Sequence, residues 1–231
     1  MHIPDGFINA GTSLGAGAAS AAGIGVALRR TGDWLEDRQV PMAGLVAAFI
    51  FAVQMLNFPV ALGTSGHLLG GALAAVLVGP WAGMICVSVV LLVQALFADG
   101  GLTALGLNVL NMGIVTSLVG YGTFVALRKV LPATKPAVSA AAGVAAALSV
   151  VISSVAFAAE YAIGGTGTAP VGAVAAAMVG VHAIIGIGEG LITAATVGMV
   201  LSVRPDLVYG GWGVAAPLDA GPATPAAQEA K

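Results

Sequence analysis

The chain has 231 residues, 58% of them hydrophobic and only 8% charged, with a formal net charge of −2 and a mean hydropathy of +1.01. A chain this apolar does not carry the polar surface of a soluble domain of its length, so it reads as an all-α polytopic membrane protein. The near-balanced charge leaves no basic patch for nucleic acid.

Residues 1 to 7 read Met-His-Ile-Pro-Asp-Gly-Phe. The first basic residue is Arg29, so no positively charged segment precedes the first apolar run, and the mature chain is expected to start at Met1. The bulk of His2 disfavours removal of the initiator. A histidine in second place offers one cation the α-amine of Met1, the amide nitrogen of His2 and His2 Nδ1, in two fused chelate rings. Four nitrogens in a plane suit Ni(II), Cu(II) and low-spin Co(II). The fourth is sought first at His67, in Gly63-Thr64-Ser65-Gly66-His67.

A helix needs about 20 apolar residues to cross the hydrocarbon layer. Dividing the chain at charges, prolines and glycine clusters predicts about seven transmembrane helices: Phe7 to Leu28, Val40 to Asn57, His67 to Gly79, Trp81 to Ala98, Gly106 to Leu127, Ala137 to Ala162 and Ala177 to Val203. Gly79-Pro80-Trp81 separates the third from the fourth. With the amino terminus outside and the carboxyl terminus cytoplasmic, Arg29, Arg30, Arg38, Arg128, Lys129, Lys135 and Arg204 all fall on the cytoplasmic side. Merging spans three and four would scatter them over both faces. The seven-span arrangement puts His2 and His67 on the outer side and His182 in the outer part of the last span. Thr31 to Gln39 is expected as a cytoplasmic loop. A membrane domain over residues 1–212 would be followed by a disordered cytoplasmic tail, 213–231.

Gly15, Ala19 and Gly23, with Ala18 and Ala22, give span one small-x-x-x-small spacing, a packing face that could serve a partner subunit. The connection from Asn57 to His67 is polar and glycine-broken, and irregular backbone at membrane depth is tolerated where it is buried or lines a site. After span four come Asp99-Gly100-Gly101-Leu102-Thr103, then Asn108 and Asn111, three apart and so expected on one helical face. Asn57, Ser65, Asp99, Asn108 and Asn111 are candidates for orienting the ligating groups. His182 and Glu189 lie seven apart on one face of the last span and are further candidates for orienting the ligating groups; Glu189 could pair with His182 through an intervening residue, join a cation path, or sit as a protonated carboxyl against Ser or Thr, with structural pairing ranked ahead of direct ligation. Glu160 is expected to reach interfacial water. The lone Cys86 reads as a small buried hydrophobe.

Two other readings compete. Gly63-Thr64-Ser65-Gly66 has the G-x-S-G form of rhomboid intramembrane serine proteases, with Ser65 as nucleophile and His182 as base. Alternatively, Glu189 and His182 could relay protons in a secondary cation transporter. No G-x-x-x-x-G-K-[ST] pattern occurs, so this chain does not hydrolyse ATP through that motif.

Met1-His2-Ile3-Pro4-Asp5-Gly6-Phe7, Asn57-Phe58-Pro59 with Gly63 to Gly71, Phe97 to Gly106 with Asn108 and Asn111, and His182 to Glu189 together resemble the CbiM/NikM family. These are the substrate-binding membrane subunits of energy-coupling factor transporters for cobalt and nickel. The resemblance implies a helical bundle with the amino-terminal segment plugging inward from outside, in a prokaryotic cell membrane. It implies a square-planar ligand set of Met1 amine, His2 amide and imidazole, and His67 imidazole, with Co(II) or Ni(II) as cargo and no other cofactor. The implied partners are a transmembrane coupling subunit of the CbiQ/NikQ type, cytoplasmic ATPase subunits of the CbiO/NikO type and a small membrane accessory subunit of the CbiN type.

Overall fold

The computed structural model describes residues 1–32, 40–60, 64–211 and 213–214. Most of the expected loop after Thr31 and nearly all of the expected tail lie outside the described residues. The described chain is predominantly helical, as its long apolar runs require, because a backbone in lipid must satisfy its own hydrogen bonds. Its main helices are α1 (Ala10–Gly32), α2 (Val40–Gln54), α3 (Gly71–Val78) and α4 (Pro80–Leu96), then α5 (Leu105–Arg128), α6 (Lys135–Gly164) and α7 (Val171–Val203). Between α2 and α3, Phe58–Pro59 (β1) pairs antiparallel with Ser65–Gly66 (β2).

Among the described residues, α1, α5, α6 and α7 are long and apolar enough to cross a membrane, whereas α2 and α4 are shorter apolar helices. The third expected span is much reduced: α3 has 8 residues, about 12 Å at 1.5 Å per residue, and every one is buried. Residues 67–70 are not helical. Gly70 sits at φ 79, a left-handed conformation that ends the extended segment and starts the helix. The expected break after α3 is present: Val78 ends it, Gly79 has φ 88, and Pro80 opens α4 in the first turn, where a missing N–H costs nothing. α3 folds back on α4 so closely that a Cβ on Gly83 would lie 2.8 Å from the Ala75 nitrogen.

α6 and α7 form a tight pair. A Cβ on Gly143 would come within 2.7 Å of the Gly190 carbonyl, and one on Gly190 within 2.8 Å of the Gly143 carbonyl, so small residues let the two backbones touch. The stripe expected on α1 divides differently. Gly15, Ala18, Ala19 and Ala22 are exposed, whereas Gly23 packs on Ile114. The inward face is Ala16, Ser20 and Ala27 instead, and Ser20 Oγ donates to the Gly106 carbonyl at 2.6 Å.

The first nine residues run inward from the α6–α7 connection. Ile8 bridges Gly165, the Asn9 amide donates to the Gly164 carbonyl at 2.7 Å and the Thr166 amide to Phe7 at 3.1 Å. Met1 and Ile3 end fully buried in the core with Leu69, Met112, Phe157 and Met178.

Candidate metal centre

His67 lies in the non-helical stretch ahead of α3 and is 1% exposed. Its Nδ1 donates to the Leu68 carbonyl at 2.8 Å, which fixes the tautomer and leaves Nε2 with a bare lone pair. That Nε2 is buried and has no hydrogen-bond partner. A metal-binding imidazole is commonly prepared in this way, with one ring nitrogen held by a backbone carbonyl and the other free to ligate. Burial, then the Met1 amine and His2, push this imidazole well below its ordinary range, so it is neutral.

The extended backbone around His67 is secured from two sides. From α7, Glu189 accepts the Leu69 amide at 2.5 Å and the Gly70 amide at 2.8 Å. From α2, Gln54 Nε2 donates to the Leu69 carbonyl at 2.6 Å. These side chains replace the helical hydrogen bonds that residues 67–70 forgo. Glu189 thus bonds backbone amides ahead of α3.

His2, 4% exposed, packs its ring against that of His67 with centroids 4.5 Å apart and planes 31° from parallel. Its Nε2 lies 3.1 Å from Gln94 Oε1 of α4, and the tautomer that donates to that oxygen leaves the lone pair on Nδ1. This is the nitrogen that an amino-terminal chelate requires. Around it stand Ser65 Oγ at 3.4 Å and Asp99 Oδ1 at 3.3 Å. Burial, chiefly, lowers the His2 imidazole to about 3, with the terminal amine adding to the effect. His2 and Asp99 are thus not an ion pair at neutral pH. A lone pair and a carboxylate oxygen face each other, an arrangement that a cation would stabilise.

Burial also lowers the Met1 amine well below its ordinary value, against the pull of Asp99 and Glu189, leaving its nitrogen unprotonated and able to ligate. Burial raises the Asp99 carboxyl, opposed by the terminal amine and by Asn57. Asn57 Nδ2 reaches Asp99 Oδ2 at 3.2 Å. His2, Pro4, Asp5, Ser65 and Asp99 line a cleft of about 360 Å³ that leads to the site.

The amino-terminal segment is held by a clamp of side chains and backbone from α5 and the loop before it. Asn108 Oδ1 accepts the Ile3 amide at 2.8 Å and its Nδ2 donates to the Ile3 carbonyl at 3.2 Å. That carbonyl also accepts the Gly101 amide at 2.9 Å. Asp5 Oδ1 accepts both the amide and the hydroxyl of Thr103, at 2.7 and 2.6 Å, and those bonds hold its carboxyl below the usual range.

Three readings of the sequence are corrected. Asn111 does not join Asn108 at the terminal strand: its Nδ2 donates to Glu160 Oε2 at 2.6 Å. The helix takes a π turn over Val109–Val115, and the wider winding removes the three-residue spacing from a common face. Glu160, expected in interfacial water, is only 9% exposed and occupied by that amide. Ser65 does not hydrogen-bond His182, whose Nδ1 donates to the Met178 carbonyl at 2.8 Å and whose Nε2 has no partner, so the serine–histidine pair of a protease is not made. Gln94 and Gln54 carry roles that sequence reading missed. Each is a lone amide near the end of an apolar run, and that polarity is the signal that could have found it.

Among the described residues, no three or more His, Cys, Asp and Glu side chains come together as a metal cluster. The family model described as "Cobalt uptake substrate-specific transmembrane region" matches residues 2–207. A protein named for metal transport from Haloquadratum walsbyi is 40% identical over 213 residues, covering 90% of this chain and 94% of its own. A fused nickel transport protein of Rhodobacter capsulatus is 42% identical over 125 residues, 54% of this chain and 36% of the relative. A crystal structure of a truncated transition metal transporter superposes with a TM-score of 0.79 at 30% identity, covering 87% of this chain and 99% of that one.

Proposed function

The chain belongs to the CbiM family of cobalt-uptake transmembrane proteins, and from that premise we propose that it captures Co(II) or Ni(II) at the outer face of a prokaryotic cell membrane as the substrate-binding subunit of an energy-coupling factor transporter. It is a membrane component of cobalt and nickel transport of the CbiM/NikM type. The ligands would be the Met1 amine, the His2 amide and Nδ1, and His67 Nε2. The observation that carries this reading is the pairing of two buried imidazoles with rings 4.5 Å apart: His67 Nε2 is bare, and the His2 tautomer that donates to Gln94 leaves Nδ1 free.

Charge favours the same cargo. A divalent ion bound through one deprotonated amide retains a single positive charge, and Asp99, 3.3 Å from the ligating nitrogen, offsets it. Four nitrogens discriminate against Mg(II) and Ca(II), which take oxygen ligands in larger number. Seven membrane-associated helical segments with the amino terminus outside would place the cleft toward the external medium. Energy would come from separate ATPase subunits through a transmembrane coupling subunit. The fused name of the Rhodobacter relative supports a small accessory subunit as a further partner.

The test is reconstitution of this chain in liposomes with its coupling and ATPase subunits. Nickel or cobalt uptake should require ATP and His67, and should cease with His67→Ala. Uptake by this chain alone, driven by a proton gradient, would replace the reading with that of a secondary transporter.

A further inference from the structure

Glu160 on α6 is a buried carboxyl that the proposed chelate does not use. It is 9% exposed, and among the described residues its one hydrogen bond comes from Asn111 Nδ2 to Oε2 at 2.6 Å. Its Oε1 has no partner, and neither has Asn111 Oδ1. Two buried groups already joined by one hydrogen bond thus each keep a bare oxygen. Both oxygens are acceptors if the carboxyl is ionised, and each then lacks a donor.

Among the described residues, no cation offsets a charge at Glu160. The titratable side chains of α7 are His182, whose Nδ1 donates to the Met178 carbonyl, and Glu189, which accepts the Leu69 and Gly70 amides. The cations of α1, α5 and α6 stand at the far ends of their helices: Arg29 and Arg30 in the last turn of α1, Arg128 in the last turn of α5, and Lys135 at the start of α6. Lys135 is about 37 Å from Glu160 along α6 at 1.5 Å per residue. The Tyr161 hydroxyl donates to the Ala169 carbonyl, and Tyr121 packs on Phe124 and Tyr209. In the amino-terminal segment the Met1 amine is uncharged through burial, and Asp5 is held by Thr103. An ionised Glu160 would be a buried charge without a counter-charge, far costlier than the neutral acid.

The same face of α6 carries the amino-terminal segment, because Ser153, Phe157, Glu160 and Gly164 recur at helical spacing. Ser153 Oγ lies 3.9 Å from Met1 Sδ, the Phe157 ring is 5.8 Å from that of Phe7, and the Gly164 carbonyl accepts the Asn9 amide. Ser153 Oγ also donates to the Asn111 carbonyl at 2.8 Å. Asn111, inside the π turn Val109–Val115, is therefore tied to α6 twice: through its backbone at Ser153 beside Met1, and through its side chain at Glu160.

We infer that Glu160 is a proton-binding site, its carboxyl held neutral with the proton on Oε1 donated to Asn111 Oδ1, so that acid and amide close a ring of two hydrogen bonds. The proton comes from water and no other bond changes. The pair satisfies both bare oxygens and pins the π turn to α6 behind the Met1 side chain. Glu160 is in this way a positioning residue for the Met1 pocket and touches no ion. That role rests on the metal-site reading above; the proton site does not.

The test is infrared spectroscopy of the full chain in detergent at neutral pH, wild type against Glu160→Gln, with nickel titration of the same samples. The wild type should show the carbonyl band of a protonated carboxyl, and Glu160→Gln should lack it. Identical spectra in that region would overturn the proton site. Glutamine offers Asn111 the same acceptor and the same donor as the neutral acid, so Glu160→Gln should fold and keep the nickel affinity within about two-fold, whereas Glu160→Leu, which leaves the Asn111 amide bare, should weaken it about ten-fold. A glutamine variant that fails to fold, or is as impaired as the leucine variant, would overturn the acid–amide pair, and a leucine variant that binds like the wild type would overturn the positioning role. A wild-type chain that shows the band but binds no nickel is a different result: it would remove the metal-site reading, and the positioning role with it, and uphold the proton site.

Discussion

At the scale of single residues, the site turns on which nitrogen of each imidazole is left free. Gln94 Oε1 takes the proton-bearing Nε2 of His2, and the Leu68 carbonyl takes Nδ1 of His67. Gln94→Leu removes the first of these without touching a ligand, and should weaken nickel binding by about 10- to 100-fold, measured by titration of the purified chain. Protonation gives a second test. With His2 held near 3 and the Met1 amine well below its ordinary value, neither should carry a proton at neutral pH. The His2 amide alone then has one to lose. Affinity should rise about ten-fold per pH unit between pH 6 and 8, corresponding to one proton released per ion. Calorimetry in buffers of different ionisation heat reads that number directly, and a release of two or three protons would mean that the amine and imidazole are not desolvated as described.

At the scale of elements, the decisive feature is a helix that starts late. The stretch from His67 to Gly70 stays out of α3, held by Glu189 from α7 and Gln54 from α2. Glu189→Gln leaves one oxygen for two amides and sets an NH2 group against an N–H. It should lower stability by about 1–3 kcal/mol, seen as a reduced melting temperature in detergent, while weakening nickel binding less than His67→Ala does. The sequence makes several of these elements legible. Apolar runs locate the helices, Gly79-Pro80 marks the break before α4, and the second-place histidine points to His67. The start of α3 was not legible, because an apolar run continuing from His67 looks helical until Gly70 at φ 79 and its side-chain supports are seen. Nor was the separation of Asn108 from Asn111, since a π turn leaves no mark in hydrophobic periodicity. Gln54 and Gln94 are single amides in apolar runs, which give no spacing from which to infer a partner.

At the scale of the whole molecule, the amino-terminal segment behaves as a strand threaded into a helical bundle. It is tied at Gly165, Asn108 and Thr103, with its first residue in the core. The proposed orientation can be tested with thiols, because the native Cys86 is buried. A cysteine replacing the exposed Lys129 should react with an impermeant reagent only from the cytoplasmic side, and one replacing the exposed Thr168 only from outside. Labelling of both from one side would contradict the arrangement of spans. The central claim is that a free amine with histidine directly after it makes the cargo site, and inserting a single glycine between Met1 and His2 tests it most directly. Tight, low-spin binding of nickel and cobalt to the purified chain should be lost while its melting temperature without metal is kept, and full retention of that affinity and spectrum would contradict the account.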